Sequence, residues 1–111
     1  MPFVKGKPRR FWLPVKVVEI ADGGETEAFG FEAQFSPPTR EELEQSTAGE
    51  LADSEILRRH VHDWRGVEDV EGNAVEFSDA ELADLMEDLA AWRGLWATMR
   101  DVITGEAARK N

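Results

Sequence analysis

Residues 29–35 constrain the fold more than any other stretch. Phe29, Phe31, Ala33 and Phe35 alternate with Gly30, Glu32 and Gln34. A side-chain period of two belongs to a β-strand, whose successive residues point to opposite faces. Three phenylalanines on one face, with small or polar residues on the other, predict a half-buried strand. A second alternating run comes before it. Phe11, Leu13, Val15 and Val17 share one face, and Trp12, Lys16 and Val18 the other. Pro14 has no N–H for a ladder, so this run is an edge strand or carries a bulge. Asp22, Gly23 and Gly24 lie between the runs and read as a turn, because glycine reaches positive φ without strain. The two runs predict a long hairpin. A lone hairpin is marginal in water, so its phenylalanine face must pack on something.

The cover has to come from the residues that follow. Ser36, Pro37 and Pro38 stop the second strand. Thr39 with Glu42 three residues on is a capping box, which predicts a short helix weakened at Ser46, Thr47, Ala48 and Gly49. A second helix is expected from Asp53 or Ser54 to Trp64, with Leu57, Val61 and Trp64 as its buried stripe and Gly66 as its stop. Residues 67–77 predict a small hairpin or ordered loop around Gly72 and Asn73, anchored by Val70, Val75 and Phe77. Ser78 and Glu81 form a second capping pattern, from which a long last helix runs to about Thr104 and ends at Gly105. Its apolar residues Leu82, Leu85, Leu89, Trp92, Trp96, Met99 and Ile103 are spaced three and four apart. That is a heptad seam, with Leu95 and Val102 widening one side, and it favours packing on another helix at a shallow angle. The expected fold is α+β: an N-terminal antiparallel β-hairpin, two short helices, an ordered loop and one long C-terminal helix. It divides into a mobile basic arm (1–10), one domain (11–105) and a polar tail (106–111).

Composition narrows the function. At 111 residues the chain is one domain, and it has no cysteine, hence no disulfide or thiolate metal site. No apolar run approaches the ~18 residues of a membrane span, and the basic start lacks the long apolar core of a secretory signal. A cytoplasmic protein is expected. The net charge of −10 is unevenly spread: residues 1–20 carry +4, residues 21–90 carry −16 and residues 91–111 carry +2. A body this acidic repels phosphate, which argues against nucleic-acid binding.

No catalytic constellation stands out. His60 and His62 invite a metal reading, but two residues apart on a helix they point about 200° apart and share no ion. Glu68, Asp69, Glu71 and Glu76 surround Gly72, yet an EF-hand frame places Val67 at its first position and Ser78 at its last, and both fail. Ser36, Ser46, Ser54 and Ser78 sit at turns or caps, where serine has a structural role. Neither a phosphate loop nor a nucleophile elbow is present. No cofactor, metal or enzymatic activity is expected.

Several segments together resemble a known family. Phe31, Glu32, Ala33, Gln34 and Phe35 run into a capped helix. Ile56 and Leu57 are followed by Asp63, Trp64, Arg65, Gly66 and Val67. Asp69, Gly72, Val75, Glu76, Phe77 and Ser78 then open the last helix, and Lys110 and Asn111 close the chain. Over residues 29–111 this pattern resembles the tail assembly chaperones of long-tailed bacteriophages. The resemblance implies a non-catalytic protein that holds the long, helical, hydrophobic tape measure protein soluble until tail tube protein polymerises around it. It implies work in the host cytoplasm, absence from the mature virion, and tape measure protein as partner, with tail tube protein and self-association as further expectations. It also implies a longer form made by ribosomal frameshifting near the end of the reading frame. An Arg109 codon ending in A, then Lys110 and Asn111 coded AAA-AAC, would supply the slippery site. The residues expected to meet the partner are Trp92, Trp96, Met99 and Ile103, large apolar groups in the least acidic part of the last helix. Two other readings are an acidic phage inhibitor that mimics DNA and a structural head–tail or tail subunit.

Overall fold

The computed structural model describes residues 1–109. Lys110 and Asn111, and the frameshift expectation attached to them, lie outside the described residues. The architecture is mixed α+β, built on a three-stranded antiparallel sheet. β1 (Phe11–Ile20) and β2 (Thr26–Phe35) form the expected hairpin, paired without slip from Phe11 opposite Phe35 to Ile20 opposite Thr26. A single 3-10 turn at Asp22–Gly24 joins them, with Gly23 at φ 82°. Directly opposite residues lie on one face. Phe11, Leu13, Val15 and Val17 therefore lie beside Phe35, Ala33, Phe31 and Phe29. The sheet order β1-β2-β3 leaves β1 at the edge, where Pro14 is tolerated.

α1 (Arg40–Thr47) starts at the full capping box: Thr39 Oγ1 accepts from the Glu42 N–H, and the Thr39 N–H donates to Glu42 Oε1. α2 (Asp53–His60) buries Ile56 and Leu57. It does not continue to Trp64. Val61–Arg65 is instead β3, which pairs antiparallel with β2. The register shifts between Gln34 and Phe35: Gln34 faces Asp63, while Phe35 faces Val61. His62 is the extra residue of a bulge. A bulge adds one residue to the strand period, so Val61 and Trp64 both reach the core face although three residues apart. That spacing imitates a helical stripe. Gly66 therefore ends a strand rather than a helix.

Residues beyond β3 make an ordered loop with one bridge, Glu68 to Ala74. Trp64 holds it in place. Its Nε1–H donates to the Val75 carbonyl at 2.7 Å, and its ring meets Phe77 and Phe31 edge-on at 5.1 and 6.3 Å. Val70 is fully exposed and anchors nothing.

The long last helix is divided in two. α3 (Asp79–Leu85) starts at Ser78, whose hydroxyl accepts from the Glu81 N–H. α4 (Leu89–Thr104) starts at Asp88, whose carboxylate accepts from the Ala90 and Ala91 N–H groups at 3.0 and 3.2 Å. Asp88 thus offers the backbone a new N-cap where the heptad seam would run through. Packing requires the break. Leu82 and Ala91 are both buried, yet nine residues along one straight helix place them about 180° apart. The two helices reach one core only by turning between them. α4 ends at Gly105, in the left-handed region at φ 79°, and a 3-10 turn, Glu106–Arg109, follows.

The core joins one sheet face to α2, α3 and α4. Phe35, Ile56, Leu57, Leu82, Leu95 and Met99 are fully enclosed. Each such side chain contributes about 1.5–3 kcal/mol relative to exposure. On the outer sheet face Arg65 ties the three strands together. Its Nε donates to Glu32 at 2.9 Å, and its guanidinium lies 4.2 Å over the Trp12 ring.

Candidate functional site

α4 carries the expected partner-binding residues, and its contact with the sheet decides which of them are free. The buried face of the helix is Ala91, Gly94, Leu95, Thr98 and Met99. Its small members let the helix lie against the backbone of edge strand β1. A Cβ on Gly94 would sit 2.5 Å from the Lys16 carbonyl oxygen. One turn on, Thr98 Oγ1 lies 3.1 Å from the Gly94 carbonyl and 3.4 Å from that of Pro14. Covering an exposed strand edge with a helix is one way proteins prevent stray pairing. Tryptophans are too large for this approach, so Trp92 and Trp96 flank it.

Trp92, Trp96 and Ile103 are half-buried, leaning on the core while keeping part of their surface open. Leu89, one turn before Trp92, is 64% exposed. These four residues form an apolar ridge on one side of α4, interrupted by about two turns between Trp96 and Ile103. Met99 does not belong to it. It is 0% exposed, because the helix is rolled so that Leu95 and Met99 point into the core together. The expectation that Met99 meets a partner is corrected. On the opposite flank, about 180° around the helix axis, an open groove of about 1000 Å³ separates α4 from the hairpin, lined by Leu13, Phe29, Phe31, Gly94, Ala97 and Asp101 among others.

A second cluster was not legible in the sequence. The His62 bulge and the end of α2 bring both histidines to Ser36, at the end of β2. Ser36 Oγ lies 2.8 Å from His60 Nδ1 and 2.7 Å from His62 Nε2, and His60 Nε2 lies 2.7 Å from Glu42 Oε1. Arg59 donates to the other Glu42 oxygen at 3.2 Å. The proton on His60 Nε2 follows from Glu42. Burial alone would raise its pKa. The Thr39 N–H, His60 and Arg59 outweigh burial and bring it to about 2. An ionised Glu42 accepts, so His60 Nε2–H donates. Ser36 Oγ bridges the other His60 nitrogen, Nδ1, to His62 Nε2, and the direction of both bonds follows the imidazole tautomers. The His62 pKa is pushed down by burial, then by the nearby charges of Arg10 and His60.

This chain of hydrogen bonds contains the residue types of a hydrolytic triad, but its surroundings differ from one. The serine meets His60 through Nδ1 and the carboxylate meets Nε2. The Ser36 N–H, a natural oxyanion donor, is committed to the His60 carbonyl at 2.9 Å. The groove beside α4 holds none of these residues. The cluster fastens α1, α2, β2 and β3 at one corner. The acidic loop after β3 is likewise self-contained: Asp69 Oδ1 accepts from the Glu71 and Asn73 N–H groups. Among the described residues no group of three His, Cys, Asp or Glu side chains is placed to hold a metal ion, and no helix is long and apolar enough to cross a membrane.

No protein-family model matches this sequence, and no curated protein or solved structure matches it.

Proposed function

We propose that this protein is a non-catalytic assembly chaperone of the long-tailed phage type. It binds the helical, hydrophobic tape measure protein in the host cytoplasm, keeps it soluble while tail tube protein assembles, and leaves before the virion matures. The observation that carries the reading is the apolar ridge of Leu89, Trp92, Trp96 and Ile103, left partly open on a protein of net charge −10. An amphipathic partner helix laid on such a ridge buries its own apolar stripe. The net negative charge of the protein keeps the complex soluble. Of the segments that carry the family resemblance, Asp63 to Val67 forms β3 and its end, and Phe77–Ser78 opens α3; α4 itself rests on β1 and α2.

The test is co-expression with the tape measure protein encoded by the same genome. Trp96→Ala is expected to move most of the tape measure protein into the insoluble fraction, while circular dichroism of the variant stays native. Leu89→Glu serves as a second variant, because an exposed position tolerates charge without loss of fold. Full tape measure solubility with both folded variants overturns the assignment of the ridge. Full solubility in the absence of this protein overturns the function.

A further inference from the structure

We propose that the basic segment preceding β1 of one chain docks on the free end of the β1–β2 hairpin of a second copy, linking copies head to tail. The inference is independent of the chaperone reading and concerns a different surface from the ridge on α4.

The hairpin outruns its cover. Core burial along β1 stops at Val17, and beyond it Ile20 is 77% and Phe29 53% exposed. Every charged side chain there is acidic: Glu19, Asp22, Glu25 and Glu27. Glu19 and Glu27 are direct cross-strand neighbours, an arrangement that like charge destabilises. No ion pair involves any of the four among the described residues. The hairpin end thus combines open apolar surface with unneutralised negative charge.

Residues 1–10 have the complementary character. Their charged side chains are Lys5, Lys7, Arg9 and Arg10, and Phe3 is 77% exposed. In place of packing on the body, the segment turns on itself. The Arg9 guanidinium lies 4.6 Å over the Phe3 ring and donates to the carbonyls of Lys7 and Val4. An aromatic anchor among cations fits a surface of Ile20 and Phe29 among carboxylates.

Geometry places the two partners on different molecules. The basic segment joins β1 at Phe11, the end paired with Phe35, whereas the acidic end lies at Ile20. Ten strand residues separate them by about 33 Å. Ten residues of fully extended chain reach only about 33–36 Å, so folding back would leave no slack for a turn. Between copies no such strain arises. The contact is heterologous, so it builds chains or rings rather than a closed two-fold dimer. With few residues involved, it belongs with small, transient interfaces.

Analytical ultracentrifugation with charge reversal tests this. At low salt the average mass of the native chain is expected to rise with concentration beyond that of the monomer. It is expected to fall back toward monomer in 1 M salt, where the screening length is about 3 Å. A chain with Lys5→Glu, Lys7→Glu and Arg9→Glu, and a second with Glu19→Lys, Glu25→Lys and Glu27→Lys, should each stay monomeric. Mixed together they should associate, although both keep a net negative charge. Ile20→Ser, which leaves charge unchanged, should shift association to about tenfold higher concentration. A native chain that stays monomeric at low salt, including one whose hydrodynamic radius alone responds to salt, overturns the proposal. So do reversed chains that associate as the native chain does, or a mixture that stays monomeric.

Discussion

Glu42 gathers three donors, the Thr39 N–H, His60 and Arg59. It closes the capping box of α1, accepts from His60 and pairs with Arg59, so one carboxylate joins the start of α1 to the end of α2. Its pKa of about 2 lies below its ordinary value of 4.5. A carboxyl depressed on folding adds stability that is complete above its unfolded pKa and lost as pH falls toward the folded one. Over that window, from about 4.5 down to 2, the loss is at most about 3 kcal/mol. His62, depressed by burial and by Arg10 and His60, acts in the same direction from higher pH. The unfolded chain takes up its proton first, so stability begins to fall below about pH 6.5. Urea unfolding across pH 7 to 3 should show this decline, and Glu42→Gln should flatten its lower part. A native chain with constant stability over that range would contradict the account of the cluster.

Among elements, α4 lies close against the backbone of β1, and Gly94 makes that approach possible. Alanine favours a helix over glycine by about 1 kcal/mol, yet here its methyl would meet the Lys16 carbonyl at 2.5 Å. Overpacking against backbone costs about 1–3 kcal/mol, so Gly94→Ala is expected to lower the urea midpoint. A neutral or raised midpoint would show that α4 moves away from the strand freely. The elements also show what was legible beforehand. The hairpin, its edge strand, the α1 capping box and the Gly105 stop were readable, because each rests on local chemistry: period two, a missing N–H, a reciprocal cap, a positive φ. The errors share one cause. Val61 and Trp64 are spaced as in a helix because a bulge lengthens a strand, and the heptad from Leu82 to Ile103 is unbroken in the sequence although Asp88 interrupts the helix. In both, pairing and packing distant in sequence chose between readings that periodicity left equal. The cluster of Ser36, Glu42, His60 and His62 was hidden for the same reason, since reading residues 53–64 as a helix set the two histidines apart. Trp92, Trp96 and Ile103 are half-buried on one side of α4. Met99 was misassigned because the roll of the helix is set by Gly94 and Thr98, which hydrophobicity alone does not mark.

As a whole molecule, the protein has one well-covered sheet face, an α4 ridge that is apolar and half-open, and an acidic exterior. The proposed function uses that combination. The ridge supplies contact area, the charge keeps the complex in solution, and the Ser36 cluster holds the corner from which the helices are positioned. Hydrogen exchange, followed residue by residue with and without a soluble helical segment of the tape measure protein, tests this most directly. Protection should increase along α4 from Leu89 to Ile103, with the hairpin end and the Ser36 cluster unchanged. Added protection confined to other surfaces, or none at concentrations where the segment is held in solution by this protein, would contradict the account.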